Sequence, residues 1–102
     1  MAVVVSLDRD AIVHAAQRYG VAELAVFGSA VTGGFRADSD VDFLVEFVPG
    51  RPDPFADYCS LRDELQRIVE RDVDLVVKRS IRNPYLRDSI LAHAEVVYVA
   101  DL

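Results

Sequence analysis

Asp40-Val41-Asp42-Phe43-Leu44-Val45-Glu46-Phe47 is the stretch from which the fold can be read. Its side chains alternate with a period of two. Val41, Phe43, Val45 and Phe47 fall on one side of an extended chain, and Asp40, Asp42, Leu44 and Glu46 on the other. The pattern predicts a strand over Val41 to Val48 with its apolar set toward a core, ended by the turn-forming Pro49-Gly50-Arg51-Pro52. Asp40 and Asp42 are then neighbours on the opposite face, their α-carbons roughly 6.5 Å apart at the usual strand rise. Val73 to Val77 repeats the design, with Val73, Leu75 and Val77 as the core set and Asp72, Asp74 and Val76 facing away. If the two strands are adjacent, about 4.8 Å apart, Asp74 completes a cluster with Asp40 and Asp42.

Working outward, helical and extended patterns alternate. Ile12, Ala15, Ala16 and Tyr19 recur at helical spacing and predict a helix from about Asp8 to Tyr19, with Gly20 in the position of a C-terminal cap. Leu24 to Phe27 is a short apolar run that meets Gly28-Ser29, where a strand turns into a helix start. Asp53-Pro54 and Asn83-Pro84 each pair a capping side chain with a proline suited to a first helical turn. The first opens a helix with Tyr58, Leu61, Leu65, Ile68 and Val69 on one face, and the second a helix reaching about Ala94. Val96 to Val99 makes a last strand. The expected class is α+β with α/β character: a small mixed sheet with helices packed on one face.

Three aspartates on one face repel one another, and like charges across strands destabilise a sheet. A divalent cation removes the conflict. Magnesium favours carboxylate oxygens and substrate phosphates, and pairs of such ions serve phosphoryl- and nucleotidyl-transfer sites. A solvated acidic face is the alternative for an isolated Asp-x-Asp. The segment before it adds information: Gly28 allows a close backbone approach to a phosphate, the amides of a helix start donate to it, and Ser29 adds a hydroxyl. At average residue usage, Gly-Ser-x10-Asp-x-Asp arises by chance in about one 100-residue chain per thousand.

At these residues the chain resembles a known family. Phe27-Gly28-Ser29, Gly33, Arg36, Asp38-Ser39-Asp40-Val41-Asp42 and Phe43 to Phe47 look like the signature of the minimal nucleotidyltransferases of the DNA polymerase beta superfamily. The likeness continues through Pro49-Gly50, the helix beginning near Phe55, Val73-Asp74-Leu75-Val76 and the closing helix and strand, and so covers nearly the whole chain. It implies a metal-binding pair at Asp40 and Asp42, a third catalytic carboxylate at Asp74, and two magnesium ions. It also implies that Gly28 and Ser29 hold the triphosphate of ATP, with Arg36 and Ser39 completing the nucleotide-binding set. Many members carry arginines where this chain has Ala30, Val31 and Thr32, which leaves Arg36 as the one cation inside that segment. Minimal members of the family pair with HEPN-domain partners as toxin–antitoxin systems, and the resemblance implies transfer of AMP from ATP to a tyrosine of such an RNase toxin. An antitoxin that acts by binding alone, and nucleotidyl transfer to RNA ends or a small molecule, are the alternatives.

Composition agrees. The 102 residues are 52% hydrophobic and 27% charged, the profile of an ordinary globular chain, and their number predicts one domain spanning 1–102. A chain of this size hides about 65% of its unfolded surface. Seventeen acidic residues against eleven basic give a net charge of −6, which disfavours stable general binding to nucleic acid. No run approaches the ~18 apolar residues of a membrane helix, and the N-terminus lacks the pattern of a signal peptide. Cys59, the single cysteine, cannot form an internal disulfide, so a cytoplasmic location and no membrane association are expected.

The remaining candidates carry less chemistry. Cys59 falls on an amphipathic helix and reads as a small hydrophobe. His14 and His93 have no third metal ligand near them in sequence and read as ordinary structural histidines. Lys78, Arg79, Arg82 and Arg87 form the one basic concentration, either a solvated surface or a contact for phosphates or an acidic partner. Fewer than thirty residues follow Asp74, too few for a domain that grips an acceptor, so the acceptor is expected to bring its own recognition surface.

Overall fold

A computed structural model describes residues 8–28 and 40–100. Helix α1 spans Arg9–Arg18, β1 Val21–Phe27, β2 Val41–Phe47, α2 Pro54–Val69, β3 Val73–Val77, α3 Pro84–His93 and β4 Glu95–Val99, with a short 3-10 turn at Lys78–Ser80. The capping side chains do what their chemistry dictates. Asp8 Oδ1 accepts from the Ala11 amide at 3.1 Å, Asp53 Oδ1 from Ala56 at 3.0 Å, and Asn83 Oδ1 from Tyr85 at 2.9 Å. Each satisfies an amide that the first helical turn would leave unpaired.

The four strands form one mixed sheet in the order β3-β2-β1-β4. β1 runs antiparallel to both β2 and β4, while β2 and β3 are parallel. A parallel pair requires a crossover, and α2 provides it. The hydrogen bond from the Val41 amide to the Asp72 carbonyl, 3.0 Å, fixes where the parallel pairing begins.

The alternation in β2 becomes burial. Val41, Phe43 and Val45 are fully buried beside Leu24, Val26, Val73 and Leu75, with Ile12, Ala15 and Ala16 of α1 and Leu61 and Leu65 of α2 packed over them. Truncating Phe43 to alanine in such a core costs about 3–5 kcal/mol. Helices α1 and α2 thus cover the core face. Helix α3 buries no side chain, and its Leu91 and its C-cap Ala94 border Ala25, Leu44 and Val96 on the other side of the sheet, so the expected single helical face holds for α1 and α2 but not for α3.

Strand β1 begins at Val21, three residues before the apolar run that announces it. The register with β2 shifts between Val21 and Glu23, and this irregularity breaks the alternation that would have marked those residues. Strand β4 likewise starts one residue earlier than its apolar run, at Glu95. Among the described residues no helix is long and apolar enough to cross a membrane.

Candidate active site

The sheet face opposite the core carries the aspartates. Strands β2 and β3 are adjacent, and their register sets Asp42 directly across from Asp74. On its other side Asp42 is the register partner of Phe27, the last residue of β1. Asp42 is therefore flanked by a carboxylate on one neighbouring strand and by the β1 terminus on the other. Asp40 immediately precedes β2 and is exposed, as is Asp74, whereas Asp42 is half-buried.

Gly28 ends β1 with φ of +72°, a left-handed conformation that glycine adopts without steric cost. A Cβ built on it would lie 2.2 Å from Asp42 Oδ2. The turn and the carboxylate are thus in direct contact, and a side chain at 28 would fit only if the Asp42 carboxylate moved aside. Ser29, Arg36 and Ser39, together with the helix start expected after Gly28-Ser29, lie outside the described residues.

The electrostatics follow from this crowding. The Asp42 carboxyl is pushed above the ordinary carboxylate value, first by burial and then by the negative charges of Asp74 and Asp40. Carboxylate oxygens whose like charges repel one another are the donor chemistry that a hard divalent cation such as magnesium satisfies. Among the described residues no three His, Cys, Asp or Glu side chains are gathered as a ready-made metal site. The three aspartates share a face and a field rather than a closed ligand shell.

Two side chains of α2 hold β3 in place: Tyr58, from the face the sequence marks, and Gln66, which the pattern did not single out. Tyr58 on α2 donates its hydroxyl hydrogen bond to the Leu75 carbonyl at 2.6 Å, and Gln66 Oε1 accepts from the Val73 amide at 3.2 Å. These bonds grip β3 on both sides of Asp74. Tyr58 is signalled by its place on the apolar face of α2, whereas Gln66 carries no pattern that marks it.

The basic concentration is largely paired. Lys78 stands 3.7 Å from Glu23, Arg79 pairs with Glu46, and Arg87 lies 3.8 Å from Asp88. Cys59 is half-buried on α2, and His14 is exposed on α1.

The sequence profile of the nucleotidyltransferase domain matches residues 11–97. The chain belongs to the nucleotidyltransferase family. This nucleotidyltransferase is 38% identical over 85 residues to the protein adenylyltransferase MntA of Thermococcus cleftensis, a match spanning 81% of the chain and 79% of the relative. A solved structure provisionally described as a minimal nucleotidyltransferase superposes with a TM-score of 0.74 at 36% identity, over 85% of this chain and 86% of its own. The MNT antitoxin of Shewanella oneidensis, solved in complex with a tri-AMPylated HEPN toxin, shares the fold with a TM-score of 0.62 at 19% identity, over 90% of this chain and 70% of its own. The nucleotidyltransferase thus has the small mixed sheet of the polymerase beta-like minimal enzymes, and its class of reaction is nucleotidyl transfer.

Proposed function

We propose that this chain transfers AMP from ATP to a tyrosine of a HEPN-family RNase toxin and so acts as that toxin's antitoxin, the whole chain working as one minimal nucleotidyltransferase domain. One observation carries the reading: Asp42 stands in register with Asp74 while its carboxylate touches the Gly28 turn. A carboxylate pair meeting a side-chain-free turn suits a nucleotide whose phosphates must come close to both backbone and metal ligands. The kinship with MntA at 38% identity and the HEPN partner of the Shewanella oneidensis antitoxin support the choice of acceptor.

In this mechanism Asp40, Asp42 and Asp74 would hold magnesium, which would neutralise phosphate charge and polarise the acceptor hydroxyl. Gly28 lets the backbone approach the β- and γ-phosphates, Ser29 donates its hydroxyl to them, and Arg36 and Ser39 add a cation and a second hydroxyl. Asp74 accepts the proton of the tyrosine hydroxyl, whose ordinary pKa of ~10 calls for such a base at neutral pH. The tyrosine oxygen then bonds to the α-phosphorus, the bond from that phosphorus to the bridging oxygen of the β-phosphate breaks, and pyrophosphate leaves in line.

The test mixes the chain with a co-expressed HEPN partner, ATP and magnesium, and reads the partner's intact mass. A gain of AMP mapped to tyrosine supports the proposal. A partner inhibited without any change in mass favours an antitoxin that works by binding alone. Transfer to RNA ends or to a small molecule, with the partner untouched, overturns the choice of acceptor.

A further inference from the structure

Helix α3 forms one wall of a cavity that the mechanism above leaves unused. The cavity, about 230 Å³, lies between the end of β1 and α3 and is lined by Phe27, Gly28, Ser89, Ile90 and His93. Across the sheet the order is Asp74 on β3, Asp42 on β2 and Phe27 on β1, so the cavity opens on the side of Asp42 away from Asp74. It is therefore continuous with the Gly28 turn and remote from the carboxylate assigned to the acceptor.

Its walls have a definite chemistry. Phe27 and Ile90 present apolar surface, and Ser89 carries a hydroxyl that can donate or accept. His93 Nδ1 lies 3.0 Å from the Ser89 carbonyl. A carbonyl oxygen can only accept, so Nδ1 carries the proton, and in the neutral ring Nε2 is left as an acceptor. Apolar walls with a few orienting polar groups are the make-up of a small-molecule site. An aromatic and aliphatic slot with one acceptor matches a flat heterocycle bearing an amino group, or a ribose hydroxyl. It does not match a phosphate, whose ionised oxygens only accept.

We propose that this cavity holds the nucleoside of the bound nucleotide, with Phe27 and Ile90 packing the base and His93 Nε2 accepting a hydrogen bond from a nucleoside donor. The proposal rests on the ATP-dependent reading above and deepens it, because it gives α3 a share in the site. His93, read from the sequence as structural, becomes a residue that distinguishes nucleotide from bare polyphosphate.

The test measures the affinities of ATP and of inorganic tripolyphosphate, each with magnesium, by titration calorimetry on the full chain. His93 and Ser89 are exposed, so their substitution leaves the core intact. His93→Phe, which keeps ring bulk and removes the acceptor, should weaken ATP about three- to tenfold, the worth of one hydrogen bond, and leave tripolyphosphate unchanged. His93→Gln, which restores an acceptor oxygen, should recover most of the loss, and Ser89→Trp, which fills the cavity, should weaken ATP alone and more severely. Equal weakening of both ligands by His93→Phe would mean that the cavity holds phosphate, and would overturn the proposal. Unchanged affinity for both, with a raised KM for the protein acceptor, would mean that it holds the acceptor side chain, and overturns it equally. Wild-type protein that binds neither ligand overturns the ATP-dependent reading itself, an outcome distinct from the other two.

Discussion

Gly28 and Asp42 occupy adjoining space so closely that a single added carbon on the glycine would fall 2.2 Å from Asp42 Oδ2. The contact is made across two strands, between a turn with φ of +72° and a half-buried carboxylate. Stability and chemistry are coupled at this point, because anything that enlarges residue 28 also moves Asp42.

Gly28→Ala should therefore act twice. Left-handed backbone costs a residue with a Cβ about 1–2 kcal/mol, and the Asp42 carboxylate, the free end of a rotatable side chain, must swing aside. Chemical denaturation should show the modest loss of stability, and calorimetry should show Mg-ATP binding lost. A variant that binds Mg-ATP as wild type does would show that the contact has no bearing on the nucleotide site.

Asp42→Asn tests the mutual repulsion. Because the folded-state carboxyl is raised above its ordinary 3.8, its contribution to stability is present in full below that pH and is lost as pH rises through the raised value. Removing the charge should leave the variant at least as stable as wild type at pH 7 in chelator, with the difference vanishing near pH 3. The same variant should lose both nucleotidyl transfer and stabilisation by Mg-ATP. Unfolding curves at the two pH values and a transfer assay suffice. A marked loss of stability at pH 7 would mark Asp42 as structural.

Arg51 and Asp57 form a two-pronged pair, Nε to Oδ2 at 2.8 Å and Nη2 to Oδ1 at 2.9 Å, which braces the β2–α2 connection. The hydrogen bond from Arg51 holds the Asp57 carboxyl below its ordinary value. Its contribution is thus present above that ordinary value and is lost as pH falls through the lowered one. Arg51→Lys offers a single point of contact and should not restore the fork. Thermal unfolding from pH 2 to 7 should show both Arg51→Met and Arg51→Lys losing the acid-side slope that wild type displays.

Gln66→Leu leaves the Val73 amide without its acceptor at the start of the strand that carries Asp74. The expected cost is about 1 kcal/mol, together with faster hydrogen exchange at Val73 than at the neighbouring β3 amides. Exchange that stays slow at Val73 would show that β3 is held by the sheet alone.

Much of this was readable from residue order, and the reasons differ by element. The strict alternation of 41–47 declared both β2 and the face on which Asp42 sits, because Val41, Phe43 and Val45 are buried while Asp42 and Glu46 between and beyond them are only half-buried. The Asp42–Asp74 register was not readable. It depends on Gln66 and on the Val41–Asp72 bond, contacts between residues separated by a helix. The first residues of β1 were hidden by the register shift at Val21 and Glu23. Ser89 and His93 were hidden for the opposite reason: on a helix with no buried face, polar residues look like solvent-facing ones until the strand end beneath them is known.

The pairing of β4 with β1 has a consequence for synthesis. Glu23 and Leu24 take Val99 and Tyr98 as partners, so one edge of β1 is unpaired until residues 95–99 have left the ribosome. During that interval a nascent chain displays an open strand edge beside its apolar core, the condition that invites pairing with other chains. Translation stalled or cut short before residue 95 should thus yield not a smaller enzyme but an aggregate.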